Sequence, residues 1–223
     1  MEPLDVVFSD SILSLPSYVH KNKRGALAGK VIDLWQCVFN RAGVQAQYRL
    51  LPNRRSMQEL LGGDADFHGA RVAPEQGLKA FEDQLHYTDA LVTVYEVLLV
   101  RAEDKALLDD DRWWGGKVGV IRGEAVNPRV EVMGGEVAIR AANRDQALKL
   151  LVGKRVDVVL YISARAGELI TSYQGHELAG RTLSRLNGHG LLSAARHRQS
   201  PDLLARVNLG IASCKYLLVA PSR

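Results

Sequence analysis

The sequence predicts an α/β protein built as two lobes of similar design, and three observations carry that expectation. The first is the stretch Asn53–Arg71 (NRRSMQELLGGDADFHGAR), which reads as an amphipathic helix, a Gly turn, a short buried strand and a polar loop. The second is Arg144–Ile162 (RDQALKLLVGKRVDVVLYI), which repeats the pattern. In both, a Leu-Leu pair ends the helix (Leu60-Leu61; Leu150-Leu151), a Gly follows at once or one residue later (Gly62; Gly153), and an Asp opens an apolar strand (Asp66; Asp157). A helix that stops on Gly and hands over to a strand is half of a βαβ unit. The third is the separation of the copies, about 90 residues, which is near the spacing of small domains. In open α/β sheets the ligand lies outside the carboxyl ends of the strands. That rule makes His68 and Arg71 in one lobe, and Tyr161 in the other, candidate ligand-facing residues.

The chain of 223 residues is 47% hydrophobic and 24% charged, an ordinary globular composition compatible with one large or two small domains. A net charge of +4 does not demand nucleic acid. Lys and Arg are scattered apart from Lys21-Asn22-Lys23-Arg24 and Asn53-Arg54-Arg55, and no basic helix stands out. Cys37 and Cys214 form no metal motif. Cys37 falls on the apolar face of a predicted helix, where a buried thiol is the default, and the sequence leaves open a disulfide in an oxidising compartment. No apolar run is long enough to span a membrane, and Met1-Glu2-Pro3-Leu4-Asp5 leads straight into a strand without a signal peptide. The chain is read either as cytosolic or as a mature form whose leader has been removed.

In chain order, Leu4–Ser9 is β-rich and forms the first strand, and Asp10–Tyr18, polar with a Pro, is the loop at its carboxyl end. Lys21–Gly29 is a basic, Gly-containing turn. Val31–Ala42 carries Ile32, Leu34, Trp35, Val38 and Phe39 at helical spacing and ends at Gly43. Val44–Leu51 alternates as a strand, and Pro52 separates it from the helix of the first repeat. Ala73-Pro74-Glu75-Gln76 turns into a short helix through Phe81, and Leu85–Asp89 is irregular. Ala90–Val100 is a long β-branched strand. Arg101–Asp111 is helical or loose and ends in an acidic run that reads as a solvated face or cap. Trp113 and Trp114 sit in a turn that covers a lobe. Lys117–Ile121 is a compact buried strand, Val137–Arg140 another, and Asn143 caps the helix of the second repeat. Ser163–Leu169 is helical, Leu183–Ser193 a strand, Ser200–Ser213 a helix with Pro in its first turn, and Leu217–Ala220 a short apolar end. One lobe then comprises residues 1–95 and 190–223, the other 96–189. Two crossings, near Val92–Val100 and Asn187–Leu192, make a hinge between them.

These residues in this order resemble a known family. The strand, the polar Pro loop, the run Gly29-Lys30-Val31-Ile32-Asp33-Leu34, the helix-Gly-Asp-strand and the x-Pro-Glu-x turn are similar to the type II periplasmic solute-binding proteins, in particular the group that binds polar amino acids. Gly116-Lys117-Val118-Gly119-Val120-Ile121-Arg122-Gly123 is similar to the strand-turn opening that family's second lobe. Ala147–Leu151 through Asp157 and Ser200–Asn208 resemble its later elements. Order and spacing carry the resemblance; no single motif does. It implies an α/β, two-lobed fold with two hinge crossings and a small ligand held between the lobes. It also implies a periplasmic or extracellular location, delivery to the permease of an ABC-type transporter, and a monomer. The chain departs from the family at the ligand grips. The usual Thr-Pro-Glu-Arg turn reads Ala73-Pro74-Glu75-Gln76, and Tyr161 stands near the place of the customary ammonium-binding Asp.

The candidate binding residues are therefore Asp10, Tyr18, His68, Arg71, Arg122, Glu124 and Tyr161. Arg71 leaves a strand end and reads as an anion grip or as a surface Arg beside a Glu. Arg122 and Glu124 lie in a strand-end turn that presents N–H groups and side chains, or that is simply solvated. Asp10 accepts from a ligand cation or caps its loop. Tyr18 packs or stacks, His68 is a structural or ligand-facing imidazole, and Tyr161 is core or cleft. No nucleophile elbow, zinc motif, P-loop or Cys-x-x-Cys is present, so no cofactor or metal is expected. The leading expectation is a solute-binding protein for a small polar or anionic ligand. The alternatives are the sensor domain of a membrane receptor, or a dehydratase-like enzyme using Glu75 and Glu124 as an acid/base pair.

Overall fold

A computed structural model describes residues 3–14, 18–73, 84–109, 116–122, 130, 135–163 and 169–219. The turn expected at Pro74-Glu75-Gln76 and the short helix expected after it, Trp113, Trp114, Glu124 and residues 164–168 of the stretch expected to be helical lie outside the described residues. In order come β1 (Leu4–Ser9), a 3-10 turn (Asp10–Ser14), β2 (His20–Lys21), β3 (Leu27–Ala28), α1 (Lys30–Arg41), β4 (Ala46–Leu51), α2 (Asn53–Gly62) and β5 (Phe67–Ala73). Then follow β6 (Leu85–Tyr87), β7 (Val92–Arg101), a 3-10 helix (Ala102–Leu108), β8 (Lys117–Ile121), β9 (Glu136–Ala141), α3 (Arg144–Val152) and β10 (Val158–Ser163). The chain closes with β11 (Ser172–Tyr173), β12 (His176–Ser193), α4 (Ala194–Gln199), α5 (Leu203–Cys214) and α6 (Tyr216–Val219). It divides into two compact units, Met1–Thr93 with Asn187–Arg223, and Val94–Leu186. The chain therefore crosses from one to the other twice, within β7 and within β12.

Unit 1 is a sheet ordered β4-β1-β5-β12. The pairs β1–β4 and β1–β5 are parallel, and β12 closes the row antiparallel to β5. The apolar stripe of α1 packs on one face: Trp35 and Phe39 stack at 5.2 Å between centroids, and Phe67 of β5 meets their edges at 4.8 and 5.3 Å. The Trp35 indole N–H donates to the carbonyl of Gly69. These rings leave no room above β12: a Cβ on Gly190 would fall 2.4 Å from Phe67 and 2.6 Å from Trp35. α5 packs on α1, and a disulfide joins Cys37 to Cys214 with Cα atoms 6.1 Å apart. The pairing that the sequence leaves open is thus made.

Unit 2 runs β7-β10-β8-β9. The pairs β8–β9 and β8–β10 are parallel, and β7 is antiparallel to β10. α3 covers one face through Ala147, Leu148 and Leu151. Asn143 caps it as expected, its side chain accepting the Gln146 N–H at 2.9 Å.

The repeated Asp has the same work in both units. The Asp66 carboxylate accepts the Asp5 N–H at 2.9 Å while its own N–H donates to the Asp5 carbonyl at 3.1 Å. Asp157 does the same with Lys117, at 2.8 Å each way. Each Asp therefore fastens the opening of its strand to the neighbouring strand and sets the register there. The helix stops differ from expectation by one residue. α2 includes Gly62, and Gly63 takes the left-handed position at φ 82°. After α3 it is Lys154, not Gly153, that turns left-handed, at φ 56°. Two further differences concern short elements. Leu85–Tyr87, expected to be irregular, is a strand because it pairs with Leu191–Ser193. Residues 194–199 form a helix that the sequence does not announce. Among the described residues no helix is long and apolar enough to cross a membrane.

Candidate functional site

In unit 1, α2 begins directly beyond the carboxyl end of β4, which brings its first residue, Asn53, alongside the carboxyl end of β5. Arg71, expected in a loop beyond the strand, lies within β5, which runs on to Ala73, and its Nη1 donates to the Asn53 amide oxygen at 2.9 Å. Its cross-strand neighbour is His189 on β12. The Nδ1–H of His189 donates to the Thr88 carbonyl at 2.8 Å, and the Tyr87 ring lies edge-on to the imidazole with centroids 6.0 Å apart. Arg71 is half-buried. Burial pulls its pKa down, with the Tyr87 hydroxyl acting in the opposite sense. Among the described residues no carboxylate pairs with it. A guanidinium held by an uncharged amide, partly out of water and without an acidic partner, is set to receive an anion.

His68 takes no part in this edge. It is fully buried. Its Nδ1 accepts the Ala70 N–H at 3.4 Å, so the proton resides on Nε2, which donates to the Ser56 hydroxyl at 3.3 Å; that hydroxyl donates in turn to the Asn53 carbonyl at 2.9 Å. Burial, aided by the Arg71 charge, pushes its pKa down to about 3. His68 is thus a neutral strut that ties α2 to β5, which corrects its place among the binding candidates. Tyr18 packs its side chain against the unit 1 core, and its carbonyl accepts the Val31 N–H at 3.1 Å, so it supports the start of α1. Asp10 is exposed at the start of the 3-10 turn that follows β1.

In unit 2 the carboxyl ends of β8, β9 and β10 bring together Arg122, Arg144 and the Tyr161–Ser163 segment. Arg122 is exposed, and its N–H donates to the Ala141 carbonyl at 2.8 Å, joining the ends of β8 and β9. Tyr161 is 1% exposed and belongs to the core cluster, so its ring is not itself a binding surface, a second correction. Arg144, the first residue of α3, lies over that ring with Cζ 4.8 Å from the centroid, and its Nη2 donates to the Ile162 carbonyl at 3.0 Å. Sequence reasoning passed over Asn53, His189 and Arg144. For two of them a signal exists. Asn53 and Arg144 each open the helix of a repeat, the place where a helix start meets the carboxyl ends of neighbouring strands.

No family model matches the chain, and no curated protein sequence matches it. Solved structures do. The architecture is the two-lobed, type II periplasmic-binding-protein fold. The ligand-binding core of GluR0 in complex with L-glutamate superposes with a TM-score of 0.70 at 17% identity, over 98% of this chain and 95% of that one. A histidine kinase sensor domain with similarity to periplasmic binding proteins gives 0.69 at 16% identity, over 96% and 91%. The periplasmic domain of BvgS from B. pertussis gives 0.69 at 17% identity, over 97% of this chain but only 42% of that one. At such identities the likeness establishes the fold.

Proposed function

We propose that the chain is an extracytoplasmic solute-binding protein that captures a small polar or anionic ligand and does not turn it over. In this reading it works as a monomer and delivers its ligand to the membrane permease of an ABC-type transporter. The observation that carries the proposal is the Arg71 guanidinium, anchored by Asn53 at 2.9 Å in the carboxyl-terminal half of β5 with no described carboxylate paired with it. The Cys37–Cys214 disulfide supports an oxidising compartment. The test is a thermal-shift screen over amino acids, organic acids and small peptides, followed by scattering with each hit. Expected is a ligand that raises the melting temperature and reduces the radius of gyration. Arg71→Ala weakens that ligand by about 10- to 100-fold. A screen with no stabilising ligand sinks the proposal.

The second reading is the sensor domain of a membrane receptor, favoured by the fold shared with a histidine kinase sensor domain. The full-length gene separates the two: a leader alone supports transport, and a transmembrane helix after this region supports sensing. Loss of a measured turnover on Glu124→Gln would instead support an enzyme.

A further inference from the structure

We infer that the β2–β3 hairpin of unit 1 is a docking point for an anionic bilayer surface, a contact separate from solute binding. Lys21, Lys23 and Arg24 place three cations within four residues, and the flanking chain offers no acid nearer than Asp10 and Asp33. These three cations match most of the chain's net charge of +4. Residues 20–26 are all exposed, and among the described residues none of the three cations pairs with a carboxylate. The turn that carries them is built by its own polar bonds. His20 and Lys21 pair antiparallel with Ala28 and Leu27. The Asn22 N–H donates to the Ala26 carbonyl at 2.9 Å, and the Gly25 N–H donates to the Asn22 carbonyl at 2.9 Å. The Asn22 side-chain oxygen accepts the N–H of Arg24 at 2.9 Å and that of Ala26 at 3.1 Å. Gly25 takes the left-handed φ of 79° that closes the turn, and a Cβ there would meet nothing within 4 Å, so the tip stands clear of the rest of the chain. At its base Val19 is fully buried, and Tyr18 and Leu27 pack against the unit 1 core.

The composition of the tip selects the partner. Asn22, Lys23, Arg24, Gly25 and Ala26 include no aromatic or large aliphatic side chain. Protein interfaces draw most of their binding energy from such anchors seated in pockets, and single-stranded nucleic acid is gripped by stacking on aromatic rings. A bilayer surface needs neither. Its anionic headgroups diffuse laterally and gather under a fixed group of cations, and each Lys or Arg brought to the surface strengthens the attachment by about 5-fold. Three charges held on one turn reach the headgroups together, and the effect multiplies to about 100-fold. The attraction is screened beyond about 8–10 Å at physiological salt. A projecting tip therefore works where the same charges spread over a whole unit do not. The contact is weak, reversible and salt-sensitive, and it inserts no apolar group into the bilayer.

The experiment measures flotation of the purified chain with vesicles of equal parts phosphatidylglycerol and phosphatidylcholine, at high lipid concentration and low salt, against vesicles of phosphatidylcholine alone. Expected is binding to the anionic vesicles only, lost when salt is added. The triple variant Lys21→Gln, Lys23→Gln, Arg24→Gln lowers the partition coefficient by about 100-fold. It keeps the melting temperature, because the turn is closed by Asn22 and the backbone rather than by these side chains. A control, Lys105→Gln, Arg155→Gln, Lys215→Gln, removes the same charge from exposed positions elsewhere and retains most of the binding. Equal loss in the two triple variants overturns the inference, because net charge and not the hairpin would then carry the attachment. Equal binding to neutral vesicles overturns it too, as does no binding to anionic vesicles at low salt. Retention by poly-L-glutamate without binding to vesicles overturns it in favour of an acidic protein partner. None of these outcomes bears on solute binding, which the thermal-shift screen tests by itself.

Discussion

Reducing the Cys37–Cys214 bond is the perturbation whose size the structure sets most directly. The cross-link closes a loop across a sequence separation of 177 residues. In the chain-entropy description the stabilisation grows only with the logarithm of loop length and reaches about 5 kcal/mol for a loop this long. Much of the loop is Val94–Leu186, which forms a compact unit of its own. If that unit stays folded while unit 1 opens, the flexible part shrinks to about 80 residues and the figure falls only to about 4.5 kcal/mol. The estimate is therefore insensitive to the order of unfolding. Cys214 is fully buried and Cys37 half-buried, so the reductant is added in mild denaturant to bring the reduction to completion, and the bond is re-formed for comparison. Hydrogen exchange read on peptides from α1 and α5, with urea titrations of the oxidised and reduced protein, measures the effect. Reduction is expected to lower the stability of unit 1 by about 2–5 kcal/mol and to raise the urea dependence, because the unlinked denatured chain exposes more surface. A loss below about 1 kcal/mol with unchanged urea dependence would refute the reasoning, since the denatured chain would then not feel the link.

Asp66→Ala and Asp157→Ala should each cost about 1–3 kcal/mol in chemical denaturation, because each leaves the N–H of a neighbouring strand start without its side-chain acceptor; near-neutral results would show that water replaces the carboxylate freely. Gly190→Ala places a methyl 2.4 Å from Phe67 and 2.6 Å from Trp35, and is expected to cost at least about 2 kcal/mol or to prevent folding, read by yield and melting temperature. His68 supplies a pH dependence. Its pKa is about 3 in the fold and 6.5 when unfolded, so between those values the unfolded chain binds more protons and stability falls as pH falls. The slope approaches about 1.4 kcal/mol per pH unit. His68→Gln should flatten the stability–pH curve between pH 6.5 and 3; an unchanged slope would locate the titrating group elsewhere.

The local grammar of the chain is legible before any coordinates. The apolar spacing of Val31–Ala42, the Asn143 cap, the strand Lys117–Ile121 and the doubled helix-Gly-Asp pattern rest on interactions within one or two turns of chain. Tertiary structure decided what depends on neighbours from afar. Residues 85–87 are a strand only because β12 supplies partners a hundred residues later. His68 and Tyr161 lie on strands covered on both faces, so their side chains are sealed whatever their polarity. The Cys37–Cys214 bond needed α5 laid against α1. Arg144 looked like any helix start until the fold set Tyr161 beneath it and the end of β10 beside it. Periodicity and turn chemistry act over a few residues, and so are written in the order of the amino acids. Burial, pairing and the absence of a counter-ion are properties of what surrounds a side chain, and that surrounding exists only once distant segments have packed.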